Sequence, residues 1–210
     1  PGPGTVKLCL SNPAVRDQWL ADVATQLGEH PNRTVFNASP NDSHNRGICL
    51  CERCRAWDTA DAELMRYTWQ GVTQQYPAMS DRYITFANHL ADKLAERYPH
   101  RDLYVSMMAY GNSSPAPVNA VPGNNVLVPY VGHFPFTGKE KGLQEKGEMS
   151  GWARKDAKLM YRPNYWQGFG RLGMPEVAMA KTIDAFSFLG ENNCTGIYID
   201  TNWEHWATMG

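Results

Sequence analysis

The sequence predicts an α/β fold of the (β/α)8 barrel type, with the first strands of the barrel missing from this chain. Three observations carry that expectation. Strand-like apolar runs alternate with helix-periodic tracts, the pattern of parallel strands joined by right-handed crossovers. Each strand-like run ends in a polar or aromatic cluster, and a barrel builds its site from strand C-termini. A doubly wound sheet also places ligands there, but the chain has no G-x-x-x-x-G-K-[ST] phosphate-binding loop to support that rival. A complete barrel takes about 250 residues. This chain has 210, with five strand signals and a sixth candidate at 6–10. The expectation is therefore a single catalytic-type domain over 1–210, the C-terminal two-thirds of a barrel.

Residues 13–27 carry Val15, Trp19, Leu20, Val23 and Leu27 at the spacing of one helix face. Asn12 is a ready N-cap and Pro13 suits the first helical position. Residues 33–38 read as a short buried strand, and 51–76 as a second, less regular helical tract. The clearest helix covers 81–98: Tyr83, Phe86, Leu90 and Leu94 form its stripe, Ser80 can cap it and Pro99 follows it. "DLYVSMMAYG" and "NNVLVPYVG" are strands. "TGKEKGLQEKGEMSG" reads as a solvated surface loop, followed by a short helix at 152–158. "KLMYRPNYW" is a fourth strand, 174–189 a helix, and "GIYID" a fifth strand.

A net charge of −1 excludes a dedicated nucleic-acid binder, which needs a basic face. No apolar run approaches the ~20 residues of a membrane span. No signal peptide is visible; "PGPGTVKLCL" resembles the interior of a longer protein. Seven Trp, ten Tyr and seven Phe are more than a core requires, and many sit beside Gly, Pro and Asn in "VPYVGHFPF", "YRPNYWQGFG" and "DTNWEHWA". Aromatics on loops suit a concave site that stacks against rings, sugars included.

The run Cys49-x-Cys51-x-x-Cys54 stands directly behind Pro40-Asn41-Asp42. With Cys9 it supplies four sulfurs, a closed structural zinc site. Two disulfides, Cys9–Cys49 and Cys51–Cys54, are the rival, since a Cys49–Cys51 bond would be strained. Free thiols are the third reading. A four-sulfur zinc site keeps no open position for water, which argues against a zinc hydrolase and for catalysis without a cofactor. Cys194 reads as a small buried apolar residue.

Taken together, "KLCLSNPAV", "SPNDSHNRGICLCERCRAWD", "SDRYITFANHLADKLAERYP", "LYVSMMAYG" and "GIYIDTNWEHW" resemble the bacterial domain-of-unknown-function family 4838. The resemblance covers nearly the whole chain. It implies a glycoside-hydrolase-type barrel, related to the endo-β-N-acetylglucosaminidases of glycoside hydrolase family 163. It further implies carbohydrate as the substrate and a secreted or periplasmic location. In the family pattern the last strand often ends in Glu, where this chain has Asp200.

Glycoside hydrolysis calls for two carboxyls, one protonated to help the leaving group depart. Asp42 is the first candidate, with Asp200 or Glu204 as its partner. Glu204 is flanked by Trp203 and Trp206, and burial against indole would raise its pKa as a general acid requires. Asn41 suits a bond to a sugar hydroxyl or acetamide. His133 and His205 are candidate substrate contacts or proton relays. Tyr110, Tyr165, Trp166, Trp203 and Trp206 are candidate stacking surfaces. A carbohydrate-binding barrel without catalysis is the alternative.

Overall fold

The computed structural model describes residues 7–41, 47–69, 71–135, 137–163 and 179–198. Helix α1 (Pro13–Glu29) starts where expected: the Asn12 side chain accepts from the Ala14 N–H at 3.1 Å, Pro13 opens the helix, and Val23 and Leu27 are buried. The described part of the expected strand at 6–10 is no strand. Asn12 N–H donates to the Cys9 carbonyl at 2.9 Å, and the chain turns there to enter α1. Strand β1 (Val35–Asn37) buries Phe36.

The helical tract expected over 51–76 is corrected. Only one turn, α2 (Glu52–Arg55), is helical; β2 (Leu64–Trp69) and β3 (Val72–Pro77) then form an antiparallel hairpin. The pairing runs from Leu64 opposite Pro77 to Trp69 opposite Val72. Gly71 sits at φ +77°, which glycine adopts without a Cβ penalty. Thr, Val, Tyr and Trp in "LMRYTW" and "VTQQYP" favour strands.

Helix α3 (Ser80–Arg97) buries Tyr83, Phe86, Leu90 and Leu94, the stripe read from the sequence. Its N-cap is Met79 rather than Ser80, whose hydroxyl donates instead to the Pro115 carbonyl. β4 (Tyr104–Ser106), a 3-10 turn (Gly111–Ser113) and β5 (Val126–Gly132) follow. The expected surface loop is helix α4 (Lys139–Ala153), and it absorbs the start of the short helix expected at 152–158. Its inner face is a narrow row, Glu145, Met149 and Trp152, spaced at i, i+4 and i+7. β6 (Lys158–Pro163), α5 (Met179–Glu191) and β7 (Gly196–Ile197) complete the described chain. The expected helical residues 174–178 and strand residues 164–166 and 199–200 lie outside it.

The architecture is mixed α/β: a parallel five-stranded sheet, five α-helices and a separate hairpin among the described residues. The sheet runs β1-β4-β5-β6-β7, following the chain without reversal, and every pair in it is parallel. Register puts Phe36 beside Val105, Val105 beside Val126, Val128 beside Leu159 and Tyr130 beside Tyr161. Paired residues point to one face, and these form a single core with Leu27 of α1, Leu90 of α3, Trp152 of α4 and Leu189 of α5. The long helices therefore share that face. Leu127, Val131 and Met160, on the other face of their strands, are outside this core. Among the described residues, no helix is long and apolar enough to cross a membrane.

Candidate metal centre

Cys9 and the local run Cys49, Cys51 and Cys54, distant from it in sequence, come together in space. Cys9 lies on the turn into α1, Cys49 precedes α2, Cys51 caps it and Cys54 is buried within it. The cap is itself a sulfur contact, with the Cys54 N–H donating to Cys51 Sγ at 3.4 Å. All four Sγ atoms lie within 4.8 Å of one another. Cys9 Sγ is 3.7 Å from Cys51 Sγ and 3.8 Å from Cys54 Sγ. A tetrahedral site with metal–sulfur bonds of about 2.3 Å has sulfur–sulfur edges of about 3.8 Å. The donor set fits a metal ion in both chemistry and spacing. All five cysteines of the chain are free, so the two-disulfide reading does not describe this structure.

Ser11 is the residue the sequence reading missed here. Its Oγ, nearly buried, lies 3.5 Å from the sulfurs of Cys9 and Cys51 and accepts from Cys54 Sγ at 3.2 Å. The Ser11 hydroxyl, followed by the Cys54 N–H, lowers the Cys51 thiol to about 6 despite opposing burial. Cys9 is lowered too, chiefly by the same hydroxyl. The Cys51 N–H favours the Cys49 thiolate, but burial and the three neighbouring thiols outweigh it and push Cys49 up to about 12. The Cys51 and Cys9 thiols are thus eased toward the thiolate, while Cys49 is held as the thiol. A divalent cation at the centre would remove that conflict, because it stabilises every thiolate at once.

The loop carrying these sulfurs is fixed from α3. Arg82, 3% exposed, donates from Nη1 to the Cys49 carbonyl at 2.7 Å. Its Nε bonds Asp58 Oδ1 at 2.7 Å and its Nη2 bonds Asp58 Oδ2, a bidentate pair. Next to it, Asp81 accepts from the N–H groups of Val118, Asn119 and Ala120 at 2.9, 2.8 and 2.7 Å, which holds the β4–β5 connection.

Residues 3–209 match the family model described as Domain of unknown function (DUF4838). The chain belongs to this family. No curated protein and no solved structure matches it significantly.

Three of the other residues singled out for this DUF4838 chain are described. Asn41 follows β1 and lines a cavity of about 560 Å³ with Trp19, Cys49 and Arg82; its carbonyl accepts from Lys7 Nζ at 2.7 Å. Tyr110 and His133 share a second cleft of about 220 Å³ at the C-terminal ends of β4 and β5. The structure therefore brings Tyr110 and His133 together and places Asn41 beside the sulfur centre. Asp42, Tyr165, Trp166, Asp200, Trp203, Glu204, His205 and Trp206 lie outside the described residues. Cys194, expected to be buried, is partly buried against the core, and desolvation raises its thiol pKa.

Proposed function

We propose that this DUF4838 chain is part of a (β/α)8 barrel that hydrolyses glycosidic bonds in a complex glycan, with zinc held by Cys9, Cys49, Cys51 and Cys54 as a structural clip. The observation that carries the reading is the arrangement of the sheet. Its parallel strands follow chain order, and the long helices share one face. Strands wound in one direction with helices outside curl into a barrel, whereas a doubly wound sheet carries helices on both faces.

In a barrel the site lies at the strand C-termini. Asn41 follows β1, Tyr110 follows the Ala109–Tyr130 bridge, and His133 follows β5. Asp42, the next residue after Asn41, is the first carboxylate of the proposed pair, and Asp200 or Glu204 is the second. One protonates the departing oxygen and the other assists attack on the anomeric carbon. Zinc on four thiolates supplies cross-linking alone, since no position is left for water. The clip ties the turn into α1 to α2, beside the cavity that Asn41 lines.

Turnover by the full-length protein on a panel of glycans and N-glycoproteins tests this, with Asp42→Asn and Glu204→Gln alongside. Cleavage by the wild type, abolished in both variants at unchanged melting temperature, is the expected result. Loss in only one variant moves the other role to Asp200. Saturable glycan binding with no cleavage contradicts the hydrolase and supports the non-catalytic carbohydrate-binding barrel.

A further inference from the structure

Strand β5 ends at Gly132, and α4 holds the two residues that follow. Glu145 is 2% exposed and turns both carboxylate oxygens to that point. Its Oε2 accepts from the His133 N–H at 2.8 Å and the Phe134 N–H at 3.0 Å. Its Oε1 lies 2.8 Å from Nδ1 of the His133 ring, with Lys141 Nζ 3.8 Å away. Burial alone would raise the Glu145 pKa. Hydrogen bonds from the His133 ring and backbone, with the charges of His133 and Lys141, outweigh burial and lower it. An ionised carboxylate only accepts, so Nδ1 carries the proton and Nε2 is the acceptor nitrogen of the neutral ring.

The His133 side chain is 24% exposed and forms part of the 220 Å³ cleft with Tyr110, Tyr130, Glu148 and Arg66. The second carboxylate in the cleft is also oriented: Tyr130 Oη donates to Glu148 Oε2 and Gln144 Nε2 to Glu148 Oε1, each at 2.8 Å. Aromatic faces with convergent donors and acceptors match a sugar ring, which presents C–H faces and a rim of hydroxyls.

We propose that this cleft is a saccharide subsite in which His133 takes a proton from a bound hydroxyl or water, and Glu145 positions the imidazole for it. This rests on the carbohydrate reading above. In the step, an O–H bond breaks as the Nε2 lone pair forms an N–H bond. The oxygen left behind bonds to the anomeric carbon as that carbon's bond to the departing oxygen breaks. The departing oxygen takes its proton from the carboxyl acid proposed above, and the imidazolium, facing ionised Glu145, returns its own proton to solvent. Among the described residues, the charged and titratable groups around His133 are Glu145, Lys141 and Glu148 of α4, Arg66 and Tyr76 of the hairpin, and Tyr110 and Tyr130 at the strand ends.

The experiment titrates full-length protein carrying ring-labelled histidine with N,N′-diacetylchitobiose and with cellobiose, followed by NMR and calorimetry. His133→Gln assigns the His133 signal. Saturable displacement of that signal is expected, with affinity weakened about tenfold in His133→Gln. In Glu145→Gln the His133 ring loses its fixed Nδ1–H tautomer, read from its ring-nitrogen signals, and affinity weakens with it; Glu145→Asp restores part of both. Binding that leaves the His133 ring unmoved overturns this subsite and leaves the carbohydrate reading standing. No binding of either disaccharide, while larger glycans are cleaved, does the same; no glycan bound or cleaved overturns both. A Glu145→Gln variant that melts lower with the His133 ring-nitrogen signals unchanged makes Glu145 a structural staple and overturns its positioning role. Should that variant not fold, His133→Gln, at a quarter-exposed position, still decides the subsite.

Discussion

Arg82 joins the helical core to the sulfur centre by donating to the Cys49 carbonyl at 2.7 Å, while the rest of its guanidinium grips Asp58. The loop that presents three of the four sulfurs is thus anchored to α3 by one buried cation. Removing it should cost more than a surface ion pair does. Arg82→Ala leaves Asp58 and a backbone carbonyl without their partner, and we expect a loss of about 3 kcal/mol in urea unfolding. Arg82→Lys retains the charge but loses the bidentate fork, and should recover only part of the loss. A double-mutant cycle with Asp58→Ala measures the coupling directly.

Removal of the metal should act on the same loop. Cys54→Ser replaces a fully buried sulfur with a poor zinc ligand. The variant should bind less than one metal per chain and melt well below the wild type, and chelator should lower the wild-type melting temperature while leaving Cys54→Ser little changed. Calorimetric melting with and without chelator checks both. Because zinc needs thiolates, the metal-dependent increment should disappear as pH falls.

Helix α4 should behave as core rather than as a surface loop. Trp152 is 1% exposed, and its indole N–H donates to the Ser114 carbonyl at 2.8 Å. Trp152→Ala should cost about 3–5 kcal/mol, against a few tenths for a truly solvated position. Denaturant titration distinguishes the two.

The lowered pKa of Glu145 implies a pH signature. Its folded value lies below its unfolded one, so its contribution is complete above the unfolded pKa of about 4.3. It is lost as pH falls through the folded value. Stability measured from pH 6 downward should fall more steeply in the wild type than in Glu145→Gln.

Gly71 fixes the hairpin. At φ +77° a Cβ is strained even though nothing lies within 4 Å of it, and Gly71→Ala should cost about 1–2 kcal/mol. Unfolding midpoints of the two proteins provide the check.

These elements differ in how readily they could be read in advance. The Tyr83–Phe86–Leu90–Leu94 stripe and the Asn12-Pro13 start are local patterns, and both appear in the structure as read. Helix α4 was hidden because its inner row begins with a charged residue, Glu145, and three glycines, Gly142, Gly147 and Gly151, weaken its helical propensity. The hairpin was hidden because Gln70-Gly71 lacks the Asn or Asp that usually marks a tight turn. At the sulfur centre, C-x-C-x-x-C is a local signal and Cys9 followed from expected proximity. Ser11, Asp58 and Arg82 had no signal: Ser11 lies 40 positions from Cys51, and Arg82 lies 24 from Asp58 and 33 from Cys49. Only tertiary folding brings such partners together.

The most direct test of the central claim, that four sulfurs form one structural metal centre, is the metal content of the purified full-length protein together with its sulfur coordination by X-ray absorption. We predict one zinc per chain with four sulfur neighbours at about 2.3 Å. Native protein without bound metal, in which all four thiols react freely and the melting temperature is indifferent to added zinc, would contradict it.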